Sequence, residues 1–401
     1  MSSSASSTTV HDLFTKSEEH GALRDMVRQF TADHVEPQAQ EYDRAETFNR
    51  ELFNQCGELG LLGLTVSEEY GGSGMDAAAA CVVHEELSYS DPGFCLAYLA
   101  HSLLFVNNLA VNGTEEQKKK FLPRVCTGEI IGGMGMSEPA VGTDVLGLTT
   151  KAVKDGDDWI LNGQKMWITN GCVDDTTLGD VFLIYARTSE SATGISLFLV
   201  EKGMEGFSLG QRIKDKLGMR ASGTAELVFE DVRLPAENLV GEVNGAVSCM
   251  MRNLEIERVG LAAMSVGIAR RCVDVMNVYA KDRKAFGHPL NAFGQIQRHV
   301  GESYAKYMAA KCYTYNVANC LDLNATGNRL ETDGVKLFAS TMGKEVADSA
   351  IQALGGYGYV GDYKVERLWR DAKLLEIGGG TVESHHKNMV RELARADSPL
   401  P

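Results

Sequence analysis

The nine cysteines of this 401-residue chain never fall into a paired CxxC spacing, so the pattern offers no zinc or iron–sulfur site. A chain this long does not depend on disulfide staples, and reduced thiols in an intracellular compartment are expected. Basic residues are scarce: 39 Lys and Arg face 54 Asp and Glu, a net charge of -15, which argues against nucleic acid and anionic membrane surfaces as partners. Long apolar runs are missing too, because His84, Glu85, Glu86 and Asp91 interrupt the Ala- and Leu-rich stretch of 77–111, and no stable membrane insertion is expected. The leader MSSSASSTTV lacks Arg and any apolar core, so no targeting segment is recognisable in it. Neither GxxxxGK nor HExxH occurs, and no repeat of 20–50 residues is apparent.

What is present changes period twice. Apolar residues recur at helical spacing in the first third, through Leu23, Val27 and Phe30, then 52–64, 76–88, 101–111 and 115–126. From about Gly132 the chain reads as short β segments, at 158–163, 181–186, 194–200 and 224–232, with Gly, Asp and Ser turns between them. These segments have no helical crossovers, which predicts an antiparallel sheet or small barrel and argues against a Rossmann unit. Helical patterns return at 245–281, 292–325, 332–354 and 379–396. The expectation is an α+β chain with a helical domain over 12–131, a central β-barrel-like domain over 132–243 and a helical bundle over 244–398.

Glu257 is the most informative single residue. Met250, Leu254, Leu261, Met264 and Ile268 trace an apolar stripe, and Glu257 falls inside it. A carboxylate there faces a core or cleft, where burial raises its basicity and suits it to removing a weakly acidic C–H proton; the same position also suits a structural pair with Arg258. Glu255, on another face, reads as solvated. GMGMSEPAVGTD (133–144) and WITNG (167–171) read either as ligand-facing or as structural loops, and Arg283 either as a phosphate partner or as a solvated cap. His84, His101, His385 and His386 form no metal signature and read as packing or surface residues, so no metal is expected; Cys95, Cys126 and Cys249 read as small core groups.

Seven runs then appear together in one order: EEYGGSG (68–74), MSEPAVGTD (136–144), LNGQKMWITNG (161–171), KLGMRAS (216–222), DRKAFGHPL (282–290), QALGGYGY (352–359) and RDAKLLEIGGGT (370–381). In this the chain closely resembles the acyl-CoA dehydrogenase family over nearly its whole length. The resemblance implies an N-terminal helical domain, a central β domain and a C-terminal four-helix bundle, assembled as a homotetramer that binds FAD. Carried over, Met136, Ser137, Trp167 and Thr169 would contact the flavin region. Arg283 and Phe286 from a neighbouring subunit would approach the adenine dinucleotide, with Gln352, Gly356, Thr381 and Glu383 completing the cofactor site. Many straight-chain members place the catalytic Glu immediately before the GT of the last motif, where this chain has Gly379. The isovaleryl-type members place it before Arg in the earlier helix, and Glu257 in LEIERVGL matches.

The resemblance therefore implies α,β-dehydrogenation of a short branched acyl-CoA, isovaleryl-CoA first, giving 3-methylcrotonyl-CoA as in leucine degradation. Tyr98, Thr143, Arg258 and Gly379 would line the substrate site, Gly379 leaving room beside a branched chain. Electron-transfer flavoprotein would be the reoxidising partner, and the compartment the mitochondrial matrix in a eukaryote or the cytoplasm in a bacterium. Alternatives are another short or branched acyl-CoA, an acyl-CoA oxidase, and a non-catalytic acyl-CoA-binding scaffold. One departure stands out: after Phe293, where the family commonly has Gln, this chain has Gly294, followed by Gln295 and Gln297.

Overall fold

A computed structural model describes residues 11–395. The polar leader and the last residue of the expected 379–396 helix lie outside them. Helices α1 (Glu18–Phe30), α2 (Glu36–Ala45), α3 (Arg50–Glu58), α4 (Ala77–Ser88), α5 (Pro92–Leu99) and α6 (Glu115–Cys126) precede the strands. Side chains start several of them: Ser17 caps α1, Asp76 accepts from the Ala79 N–H to cap α4, and Thr114 and Gln117 form a reciprocal capping box on α6. The segment Pro92–Asn112 has the length and apolarity of a membrane span, yet it lies mostly buried inside the protein as a core helix interrupted by π-turns.

The strands are β1 (Gly132–Gly135), β2 (Lys151–Asp155), β3 (Asp158–Thr169), β4 (Val181–Arg187), β5 (Ile195–Glu201), β6 (Phe207–Arg212), β7 (Thr224–Leu234) and β8 (Leu239–Val240). They form one sheet in the order β6-β7-β3-β2-β4-β5-β8, with β1 alongside β4. Most pairs are antiparallel, as expected, but β1 and the start of β2 run parallel to β4. Strands β4 and β5 are buried on both faces. Phe182, Ile184 and Phe198 pack against Trp159, Leu161 and Phe229 within the sheet's own core. Val181, Leu183, Tyr185 and Leu197 turn the other way, to Phe105, Leu109, Phe121 and Met250. Each fully buried ring of this kind contributes about 1.5–3 kcal/mol.

The last third holds α7 (Ala246–Asp282), α8 (Gly294–Cys320), α9 (Arg329–Leu354), α10 (Val365–Leu375) and α11 (Val382–Arg395). The long helices α7, α8 and α9 pack on one another, and α10 and α11 lie against α9. Helix α10 was not expected from the sequence, although Val365, Leu368, Ala372 and Leu375 are all buried along one face. GYGYVG (356–361) has dinucleotide-like spacing, but it joins two helices, not a strand to a helix, so it builds no Rossmann turn. Helix α4 packs on α7, so the first and last thirds share one apolar core.

Candidate active site

Glu257 sits one-third of the way along α7, 8% exposed. Burial raises its carboxyl to about 7, with Arg258 and Lys336 pulling the other way. Facing it is the IGGGT turn between α10 and α11. Gly379 has φ +65°, and a Cβ built there would stand 3.4 Å from Glu257 Oε1 and 2.4 Å from Leu261 Cδ1. Helix α7 therefore delivers its carboxylate to the place where a side chain at 379 would begin. The space beside Gly379 is bounded by Glu257 and Leu261, the two side chains that a Cβ there would meet.

Arg258 is buried and turns to the same loop, its Nε donating to the Gly379 carbonyl at 3.4 Å and an Nη lying 3.3 Å from Asp333. It links the turn to α9. Lys336 Nζ donates to the Gly380 carbonyl at 2.7 Å, and burial lowers its ammonium to about 7 against the pull of Glu257. Thr381 accepts from the Ser384 N–H and so caps α11, while Glu383 is exposed on the first turn, held below its usual value by hydrogen bonds there.

The middle-domain residues form a second group. Strand β3 shifts register against β7 between Lys165 and Ile168, and Trp167 leaves the ladder at φ +66° with 61% of its surface exposed. Among the described residues nothing stacks on this indole. Ser137 accepts from the Met166 N–H through its carbonyl, which sets Met136 and Ser137 beside the bulge, and Thr169 ends the strand half-buried. An exposed flat ring beside a hydroxyl pair and backbone fixed from below fits a flavin. The fixing group is Lys165, 0% exposed, whose Nζ donates to the Met136 carbonyl at 3.1 Å and to Glu138 at 2.9 Å. Burial opposes the Glu138 charge, but Lys165 and Thr149 hold its carboxyl down to about 2. Asn170, at φ +62°, ties WITNG to the helical third by donating to the Ala97 carbonyl, and to β1 by donating to the Gly132 carbonyl.

A third group lies where α7 and α9 end. Arg283 is exposed over the Tyr357 ring at 5.8 Å, and Gln352 and Gly356 are exposed on the neighbouring turn. Phe286 is 92% exposed, and among the described residues its ring meets one other ring, Phe293 at 6.0 Å. No described hydrogen bond, ion pair or ring contact joins this group to Trp167 within the chain. At the departure site, Gly294 opens α8 in free space, Gln295 is exposed and Gln297 donates to the Asn291 carbonyl, so neither glutamine is turned to a flavin-like surface within this chain.

The other two substrate candidates make no described contact with Glu257 or the glycine turn. Tyr98 is fully buried, donates to the Leu61 carbonyl and packs on His84; Leu99, Leu103 and His84 are the side chains nearest Gly260 on α7. Thr143 is exposed on its loop. Glu255 is not solvated: it is buried and accepts from the Gly327 and Asn328 N–H groups, capping the turn before α9. Of the histidines, His84, His101 and His385 are fully buried, and among the described residues no His, Cys, Asp or Glu cluster has the form of a metal site. Lys165, Glu138, Asp333 and Lys336 were not singled out from the sequence. Of these only Lys336, between Val335 and Leu337, stands between apolar neighbours in the sequence; Asp333 lies between Thr332 and Gly334.

A buried carboxyl facing a glycine turn, with an exposed indole at a bulge of the sheet, suits a flavin-dependent oxidoreductase. The acyl-CoA dehydrogenase N-terminal, middle and C-terminal domain families match residues 17–129, 133–232 and 245–394. The chain belongs to the acyl-CoA dehydrogenase family, and its cofactor is FAD. It is 43% identical to the mitochondrial isovaleryl-CoA dehydrogenase of Pongo abelii over 92% of this chain and 86% of that one. It is 38% identical to a mitochondrial 2-methylacyl-CoA dehydrogenase of Solanum tuberosum, over 92% and 89%. Among solved structures, a glutaryl-CoA dehydrogenase of Mycobacterium smegmatis in complex with FADH2 superposes with a TM-score of 0.90 at 29% identity, covering 97% of each chain.

Proposed function

We propose that this acyl-CoA dehydrogenase oxidises isovaleryl-CoA to 3-methylcrotonyl-CoA, with Glu257 as the base. The observation that carries the reading is the Glu257 carboxylate, buried and raised to about 7, set against the bare Gly379 turn. Removal of an α proton next to a thioester needs a base of that strength in a water-poor site. Glu257 takes the proton from Cα as the Cα–Cβ double bond forms. FAD, when bound, supplies the two-electron acceptor for the hydrogen that leaves Cβ as hydride. Backbone N–H groups of the Gly379–Thr381 turn stabilise the negative charge that builds on the thioester oxygen. Met136, Ser137, Trp167 and Thr169 hold the flavin from the sheet. Arg283, Phe286, Gln352, Gly356, Thr381 and Glu383 complete its site across subunits of a homotetramer. Electron-transfer flavoprotein accepts the electrons, and the pathway is leucine degradation.

The identity to the isovaleryl enzyme and the position of the base on α7 support the branched substrate. The test is anaerobic titration of the flavin spectrum with isovaleryl-, 2-methylbutyryl-, butyryl- and a longer branched acyl-CoA. Fastest stoichiometric bleaching by isovaleryl-CoA is expected. Preference for 2-methylbutyryl-CoA would move the chain towards the 2-methylacyl relatives, and preference for butyryl-CoA would remove the branched assignment.

A further inference from the structure

Three consecutive glycines, 378–380, make the turn opposite Glu257 the least restrained kind of backbone, and two of them, Gly379 and Gly380, have positive φ, at +65° and +101°. Catalysis that depends on aligned N–H groups needs such a turn to be held from outside. Asp333 and Lys336 lie one turn apart on α9, and His385 projects from α11; Asp333 and His385 are both fully buried. His385 Nδ1 is hydrogen-bonded to Asp333 Oδ1, and Nε2 lies 3.0 Å from the Gly380 carbonyl oxygen. The Gly380 carbonyl oxygen can only accept, so this contact is a hydrogen bond with Nε2 as the donor.

Lys336 reaches that same carbonyl, and Arg258 the preceding one. A trans peptide points its N–H opposite its C=O, so holding the Gly379 and Gly380 carbonyls also fixes the N–H groups of Gly380 and Thr381. Among the described residues, the N–H groups of Gly379, Gly380 and Thr381 make no hydrogen bond within the chain. They are free for an oxygen brought by a ligand.

The geometry assigns the buried Asp333–His385 pair as a positioning unit that, through Nε2 on the Gly380 carbonyl, fixes the Gly380–Thr381 peptide of the turn on which the thioester is aligned opposite Glu257. This rests on the dehydrogenase reading above. The imidazole is separated from the cleft by the turn itself, so its action is through Gly380.

The two nitrogens can be tested separately. A glutamine amide at 385 reproduces Nε2, and an asparagine amide reproduces Nδ1. In FAD-loaded enzyme, His385→Asn is expected to lower the rate of flavin reduction by about 10- to 100-fold, with substrate affinity within a few-fold and flavin content unchanged. His385→Gln should recover most of that rate. Hydrogen exchange provides a readout independent of turnover: the 376–382 amides should exchange about tenfold faster in His385→Asn and close to wild type in His385→Gln. His385→Leu fills the site without a donor and replaces the Asn variant if that one does not fold. Equal behaviour of Gln and Asn (or Gln and Leu), in rate and in exchange, overturns the assignment. If no acyl-CoA bleaches the wild-type flavin, the dehydrogenase reading has failed, and the exchange comparison still decides whether His385 holds the turn.

Discussion

Replacing Glu257 by Gln should make the enzyme more stable while stopping its chemistry, and only at high pH. The carboxyl is raised from 4.5 to about 7 in the folded protein, so folding favours its protonated form. Below pH 4.5 the group is protonated in both states and carries no penalty. As pH rises through 7 the unfolded chain keeps a solvated carboxylate, whereas the folded chain must bury one. With 1.36 kcal/mol for each tenfold change in proton affinity, the full penalty is about 3 kcal/mol per subunit. A neutral Gln escapes it. Arg258 keeps Asp333 and Lys336 keeps the Gly380 carbonyl, so neither cation is stranded. Urea unfolding of the holoenzyme should therefore show E257Q and wild type close together at pH 5 and separated by about 2–3 kcal/mol at pH 8.5. Flavin reduction by isovaleryl-CoA should fall by about 10²–10⁴, the range for a lost general base. A variant that is less stable at pH 8.5, or a gap that does not grow with pH, refutes the claim that folding desolvates this carboxylate; unchanged reduction refutes its role as base.

Three further outcomes are expected. Lys336→Met removes a charge that restrains the rise of Glu257, so the acid limb of the pH–rate profile for flavin reduction should move to higher pH; a shift to lower pH contradicts the arrangement. Lys165→Met leaves Glu138 buried without its ion-pair partner, which should cost about 3–5 kcal/mol of stability in denaturant melts. The same variant should be purified with less bound flavin, read from the 450 nm to 280 nm absorbance ratio. Gly379→Ala forces a Cβ against Leu261 in a left-handed conformation, so both stability and flavin-reduction rate should drop, and adding Leu261→Ala should restore part of the rate.

Much of this site could be read from residues because its parts are local. Glu257 stood out as a charge within an apolar helical stripe, and the loops around Trp167 and Gly379 carry turn chemistry at fixed spacing. Long-range pairings were less legible. Nothing in RLETDGVKLFAS says that Asp333 and Lys336 face α11, nor in ESHH that His385 is buried and His386 is not; only the packing of α9 on α11 decides it. Glu255 was misread for the same reason, since the turn it caps is more than seventy residues away. Helix α10 has a plain helical period, but the glycine-rich runs on both sides of it carry loop chemistry and mask it. At 379 a glycine reports missing volume on its own residue and says nothing of its neighbours, so the approach of Glu257 and Leu261 is not legible in the sequence.

The buried charges on α4 carry a different consequence. Glu85 and Glu86 accept from Arg24 on α1 and Arg270 on α7, and Glu85 also from Lys311 and Tyr315 on α8. Burial works against the Glu85 charge, yet Lys311, Arg270 and Arg24 hold its carboxyl well below the usual range. Removing any one of these cations would leave a carboxylate in the dark with too few partners. The first and last thirds of the chain are thus locked to each other more firmly than sequence distance suggests. In folding terms they form one helical body made from two ends of the chain, into which the sheet is inserted like a cassette. A fragment ending before the sheet would expose the apolar face of α4 and leave Glu85 with Arg24 but without Arg270 and Lys311, while Glu86 would keep Arg24 and Arg28 and lose Arg270, so neither end is expected to survive as a separate unit.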